Sequence, residues 1–208
     1  MAHVDFWYEF ASTYSYLAAM RIERLADAAG VDVRWRPFLL GPIFKAQGWD
    51  SSPFIVYPAK GRYMWRDMER LCQAQGLAFV RPDPFPQNGL MAARIALFGL
   101  SQGWGVGFSQ AVFAAEFGAG ADISDPAVLA GCLDGLGLSL DVAEVFAAAR
   151  AEDSKAALKA VTAKAQERGI FGAPTFITDD GELFWGNDRL EAALSWAARH
   201  DRDGTPGA

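Results

Sequence analysis

The sequence predicts an α/β fold in which two strand-bearing segments, at the two ends of the chain, enclose a long helical insertion. Three observations carry that reading. Residues 4–10 are aromatic and β-branched and run directly into apolar residues at helical spacing. Strand vocabulary then disappears after Pro42 and returns only at Gly172. Beyond that point two short apolar runs, joined by Asp179-Asp180-Gly181, precede a final helical pattern.

In chain order, Val4 to Phe10 reads as a buried strand. From Thr13 to about Ala29, Tyr16, Leu17, Met20, Ile22 and Leu25 recur at helical spacing, and Gly30 closes that helix. Ser12 and Ser15 stand at its start, where their hydroxyls and the free N–H groups of the first turn form a candidate anion site. Val31 to Arg36 alternates apolar and charged residues as a strand does, ending at Pro37 and Gly41-Pro42. A helix between two such strands makes a βαβ unit.

The insertion begins with a turn-rich loop at Gly48 to Pro53 and a helix over 60–75 that stops before Gly76. Pro82, Pro84 and Pro86 mark an extended connection. Helices follow at about 88–102, 106–117, 126–135, 140–150 and 153–168, the third capped by Ser124-Asp125 with Pro126 in its first turn. Strands at 174–178 and 182–185 then form a hairpin. Asn187 or Asp188 is expected to cap a last helix running to about Ala198, leaving 201–208 as a flexible tail.

Composition narrows the function. The 208 residues are 51% hydrophobic and 13% aromatic, enough for a full core, and a net charge of −6 with scattered arginines argues against nucleic acid. No basic leader and no long apolar run is apparent, so a cytoplasmic protein without membrane association is expected. Cys72 and Cys132 are too far apart for a C-x-x-C pair and read as buried apolar residues. The two histidines, His3 and His200, lie near the ends and lack partners at metal-ligand spacing, which argues against zinc sites and Ser-His-Asp hydrolysis. No metal is expected, and Ser12 lacks an evident general base.

The order β-α-β, helices, β-β-α is a thioredoxin-like topology interrupted after its second strand, as in disulfide oxidoreductases of the DsbA type. Residues 1–40 and 169–200 would form the thioredoxin-like domain and 41–168 the helical insertion. Four motifs resemble 2-hydroxychromene-2-carboxylate isomerases and the related kappa-class glutathione transferases: Phe10 to Leu17, Pro58 to Met64, Gly172-Ala173-Pro174-Thr175, and Trp185 to Leu190. The resemblance extends over nearly all of residues 3–199. It implies glutathione as cofactor, a small aromatic carboxylic acid as substrate and a homodimer.

It also implies roles. Ser12 stands where redox relatives carry a cysteine and would donate its hydroxyl to the glutathione thiolate. Pro174, in a cis peptide, would let Ala173 offer its main chain to an extended peptide. Asn187 and Asp188 would receive the γ-glutamyl end, with Lys60 as a further glutathione contact. Lowering a thiol pKa from about 8.5 by two units needs roughly 2.7 kcal/mol of anion stabilisation. The activated thiolate would add to the ring-opened substrate, allow rotation about the former double bond and leave again. That sequence interconverts 2-hydroxychromene-2-carboxylate and trans-o-hydroxybenzylidenepyruvate, a step of naphthalene breakdown. Trp49, Asp50 and Arg62 are candidates for the substrate side, and Lys60 and Arg62 compete as partners for a carboxylate.

Two departures from the family pattern stand out: Thr13 replaces the proline after the serine, and Trp49-Asp50-Ser51-Ser52 stands where an asparagine is usual. Taken singly, each motif also has a plain explanation. Ser12 and Asn187-Asp188 serve as helix caps, Lys60 and Arg62 as solvated charges, Gly172 to Thr175 as a turn into a strand, and Trp49 as packing. The alternatives are a kappa-like glutathione transferase or peroxidase acting on another electrophile, and a binding module without redox cysteines.

Overall fold

The central strand is built from residues that need to be buried on both sides. β1 (His3–Tyr8) is followed by α1 (Thr13–Ala19), α2 (Ile22–Ala29) and β2 (Asp32–Pro37) in a computed structural model that describes residues 2–49 and 51–202. The insertion contributes α3 (Leu40–Ala46), α4 (Pro53–Val56), α5 (Pro58–Gln75), α6 (Leu90–Ser101), α7 (Gly105–Phe113), α8 (Pro126–Asp134), α9 (Val142–Arg150) and α10 (Glu152–Glu167). β3 (Thr175–Thr178), β4 (Leu183–Trp185) and α11 (Leu190–Arg202) complete the chain.

The sheet order is β2-β1-β3-β4, with β1 parallel to β2 and antiparallel to β3, and β3 antiparallel to β4. Period-two alternation assigns β1 to two cores. Val4, Phe6 and Tyr8 enter the larger one, with helices of the insertion and α11, whereas Trp7 joins Phe38, Ile43, Ala165, Ile170 and Ile177 in the smaller one. In the register, Phe6 lies opposite both Trp35 and Phe176. Its ring stacks on Phe176 at 5.5 Å and on Tyr8 at 5.2 Å, and meets the edge of Trp35 at 4.9 Å. Tyr8, fully buried, donates to Ser109 Oγ at 2.7 Å, whose own proton goes to the Gly105 carbonyl.

Several elements differ from the sequence reading. The helix expected over 13–29 is broken at Met20-Arg21: Arg21 leaves helical geometry (φ −132°, ψ −14°), which frees its side chain to reach Asn187, just before α11, and Glu191 on it. Beyond the end of β2 at Pro37, Gly41-Pro42 lie in the first turn of α3 and not in a bare strand terminator, since glycine and proline are both tolerated there. The end of α7 widens into a π-helical turn, Ala114–Gly118. α11 continues to Arg202, and the tail residues 203–208 lie outside the described residues. Gly30 closes α2 in the left-handed conformation, φ 68°, as read.

Both cysteines are buried free thiols. Among the described residues no helix is long and apolar enough to cross a membrane, and no cluster of candidate metal ligands occurs. Phe6→Ala removes the ring on which three others rest and is expected to cost about 3–5 kcal/mol. A lowered urea midpoint with an unchanged slope is the outcome to look for.

Candidate functional site

β1 ends at Tyr8, and the chain turns through Glu9 to Ser12 before α1 begins. Ser12 N–H donates to the Glu9 carbonyl at 3.0 Å, closing the turn, and Ser12 Oγ accepts Ser15 N–H at 3.2 Å as an N-cap. The hydroxyl proton goes elsewhere: Ser12 Oγ donates to the Ala173 carbonyl at 3.0 Å. Residues 161 positions apart in sequence thus meet at one hydrogen bond. Ser15 is fully buried, its Oγ has no partner, and it does not line the cavity described below. The expected convergence of two hydroxyls on one point is therefore corrected to Ser12 alone.

Ala173-Pro174 is a cis peptide at the start of β3. Pro174 is buried behind the wall, and its carbonyl accepts Gly186 N–H at 2.9 Å, so the loop after β4 is tied to the loop before β3. Gly172 takes part in the same arrangement. A Cβ there would sit 2.5 Å from Trp185 Nε1, so only glycine admits the indole, which packs against Phe171 at 4.9 Å between ring centroids.

Asn187 and Asp188 do not cap the last helix. They form a short 3-10 turn, Asn187–Arg189, ahead of α11, and no side chain caps it. Asn187 is buried, and Arg21 holds it: Nη2 donates to Asn187 O at 2.8 Å and to Oδ1 at 3.1 Å. Arg21 also pairs with Glu191. Asp188 is exposed and pairs with Arg189 at 3.2 Å. The helix break at Met20-Arg21 is what allows one guanidinium to fix the turn that carries both residues.

These loops and the insertion enclose one cavity of about 1320 Å³. Ser12, Trp49, Lys60, Ala173, Asn187 and Asp188 all line it. Trp49 packs on Phe44 at 5.8 Å, and the Lys60 ammonium lies over the Tyr57 ring at 4.9 Å. Arg62 is exposed and does not reach the cavity, while Asp50 lies outside the described residues. Thr13, the departure next to Ser12, is buried and lines the wall at the first position of α1. At the other departure, Ser51 and Ser52 also line it, Ser52 accepting Phe54 N–H at 3.3 Å to cap α4.

Sequence reasoning passed over several polar residues of the wall, among them Tyr14, Asp67 and Glu9. Tyr14 donates to Asp67 Oδ2 at 3.0 Å, and Asp67 accepts Arg70 Nη2 at 2.9 Å. Burial and the facing Asp67 carboxylate both raise the Tyr14 hydroxyl, so it stays protonated. Glu9 was legible as the one acid in the apolar run Phe6 to Ala11. It is partly exposed and lines the cavity, and burial pushes its carboxyl up to about 8, with the Ala11 main chain acting in the opposite direction. Behind it, on the π-helical turn, Glu116 is fully buried with neither carboxylate oxygen hydrogen-bonded; burial, then Glu9 and Asp122, hold it well above the usual carboxylate range.

A family model described as DSBA-like thioredoxin domain matches residues 3–195. A 2-hydroxychromene-2-carboxylate isomerase of Sphingobium xenophagum is 31% identical over 194 residues, covering 93% of this chain and 96% of that protein. The solved structure of a 2-hydroxychromene-2-carboxylate isomerase superposes with a TM-score of 0.82 at 26% identity, covering 98% of this chain and 99% of the other. A kappa-class glutathione S-transferase of Caenorhabditis elegans is 29% identical over 86 residues, 41% of this chain and 37% of its own.

Two outcomes follow from the geometry. Arg21→Ala strands the Asn187 Oδ1, while the Asn187 carbonyl keeps the Leu190 N–H, and is expected to cost about 1–3 kcal/mol. Thermal unfolding reads this directly, at roughly 2–4 °C per kcal/mol for a chain of this size. For Glu116 the folded state keeps a proton that the unfolded chain releases, so its contribution is complete below its ordinary pKa of 4.5 and declines as pH rises. Glu116→Gln is expected to match wild type near pH 4.5 and to exceed it increasingly as pH rises above that. Urea midpoints across that range supply the check.

Proposed function

We propose that this chain, which belongs to the 2-hydroxychromene-2-carboxylate isomerase and kappa-class glutathione transferase branch of the DSBA-like thioredoxin family, is a glutathione-dependent cis-trans isomerase. Its substrate pair is 2-hydroxychromene-2-carboxylate and trans-o-hydroxybenzylidenepyruvate, or a close aromatic analogue. The observation that carries the reading is the cavity in which Ser12 meets Ala173 at 3.0 Å while Lys60, Asn187 and Asp188 line the same space. The names of the similar proteins support both the isomerase and the glutathione in it.

On this reading the γ-glutamyl end lies at Asn187 and Asp188, where a carboxylate meets the ammonium and the amide turn meets the carboxylate. The peptide runs past Ala173 and brings its sulfur to Ser12. Ser12 then exchanges its bond to the Ala173 carbonyl for one to the thiolate, leaving the carbonyl to accept an N–H of the bound peptide. Lys60 provides the opposite charge for a carboxylate of glutathione or substrate. Trp49, Phe44 and Trp185 give a flat bicyclic acid apolar walls. Sulfur adds to the alkene carbon, rotation follows, and elimination returns glutathione unchanged, so the cofactor supplies the nucleophile that the protein lacks.

The test is calorimetric titration of wild type and Ser12→Ala with glutathione, alongside the ultraviolet absorbance of bound thiolate. Wild type is expected to bind and to show thiolate at neutral pH. Loss of one charge-assisted hydrogen bond is expected to weaken thiolate formation by roughly 10- to 100-fold in Ser12→Ala. Equal thiolate in the two proteins would remove Ser12 from this role, and absence of binding would remove glutathione. A spectrophotometric assay with the chromene acid separates isomerase from transferase.

A further inference from the structure

The Glu9 carboxyl stands on the cavity wall in the same tight turn as Ser12. The Ser12 N–H to Glu9 carbonyl bond at 3.0 Å closes that turn and holds the two residues side by side. Gly89 faces it. A Cβ at residue 89 would lie 3.6 Å from Glu9 Oε1 and 3.1 Å from Phe10 Cβ, so the missing side chain leaves the carboxyl open to the cavity. On the same wall Gln87, only 6% exposed, accepts Ile123 N–H at 2.8 Å through Oε1 and leaves its buried Nε2 without a partner. Glu116 lies behind Glu9 with both oxygens unpaired. Buried polar groups are ordinarily paired, and unpaired ones in one wall point to a function beyond packing.

We propose that Glu9 is the proton donor and acceptor of the isomerisation, a catalytic residue that acts as a neutral carboxylic acid on the ketone oxygen of the substrate. This rests on the function proposed above. As the sulfur forms its bond to the carbon β to the ketone, the alkene electron pair shifts toward the carbonyl. The carbonyl oxygen takes the Glu9 proton, leaving a neutral enol and a Glu9 carboxylate. After rotation about the new single bond, Glu9 takes the proton back, the ketone re-forms, and the carbon–sulfur bond breaks with its electron pair on sulfur. No further reactant is needed.

The surroundings suit an acid that is neutral at rest. Burial favours the protonated form and sets its loss near pH 8, within the range where a carboxyl can both give and recover a proton. The groups behind it are acidic: Glu116 on the π-helical turn and Asp122 acting on Glu116. Across the cavity stand Lys60, Asp67 and Asp188 as charged groups and Tyr14 and Tyr63 as titratable hydroxyls. A thiolate and a substrate carboxylate entering this space would hold Glu9 protonated more firmly still, since a third anion is disfavoured.

The test measures kcat and KM against pH for wild type, Glu9→Gln and Glu9→Asp, with the chromene acid and glutathione, together with the bound-thiolate absorbance. In wild type kcat/KM is expected to fall tenfold per pH unit above about pH 8. Glu9→Gln is isosteric with the neutral acid. It is expected to keep glutathione affinity and thiolate absorbance while losing on the order of 100-fold in kcat, with the alkaline limb gone. Glu9→Asp, an acid with a shorter reach, is expected to recover part of kcat and show a displaced limb. A Glu9→Gln protein with wild-type kcat and an intact alkaline limb overturns the proposal, as does one whose loss lies wholly in glutathione binding. If wild type itself neither binds glutathione nor isomerises the acid, the functional reading fails and Glu9's role falls with it, a result distinct from a competent wild type matched by its variant.

Discussion

Everything in this molecule depends on a central strand that has to be covered on both faces. β1 pairs with β2 on one side and β3 on the other, and its side chains alternate between two cores. Once Phe6 is fixed by Trp35, Tyr8 and Phe176, the end of the strand is fixed too. The next residues, Glu9 to Ser12, are therefore delivered to one place at the edge of the sheet. A site that holds reacting groups needs that rigidity, because small displacements are costly in rate.

The second requirement is that distant segments meet there. The Ser12 to Ala173 bond joins the first turn of the chain to the start of its last hairpin, and Pro174 O binds Gly186 N–H, drawing the Asn187-Asp188 turn alongside. Arg21 completes the connection from the other direction, since its guanidinium holds Asn187 through main chain and side chain. The thioredoxin-like elements thus form one wall, and helices α3 to α5 with the segment 85–90 form the other. Neither wall alone encloses a space of this size.

Much of the architecture was legible in the sequence because it is governed by local rules. Gly30 at the end of α2, Asp125-Pro126 at the start of α8 and the Asp-Asp-Gly turn before β4 each satisfy a backbone requirement that few other residues meet. What was not legible depends on tertiary partners. The break at Met20-Arg21 leaves apolar spacing unchanged, and only the reach of Arg21 to Asn187 explains it. Asn187 has the composition of a cap and the burial of a core residue, a distinction that lies in α1 and α11 rather than in its neighbours. Arg62 matched the same motif as Lys60, yet positions two apart on a helix point roughly 200° round from each other, and of the two Lys60 faces the cavity.

The charges of the cavity follow one logic on the proposed reading. A thiolate and a carboxylate must share an apolar space, and each unit of negative charge added there costs more than the last. Cations belong at the rim, where Lys60 lies exposed over Tyr57. The floor must then be neutral, and an acid that burial holds in its protonated form, with acidic Glu116 behind it, meets that condition. A histidine in the same position would tend to stay charged beside a thiolate and trap it as an ion pair. Glu9, neutral at rest and charged only while an enol holds its proton, keeps the number of anions in the space constant as sulfur gives up its charge to a bond. On that reading the nucleophile arrives with the cofactor, and what the protein has left to supply is the proton.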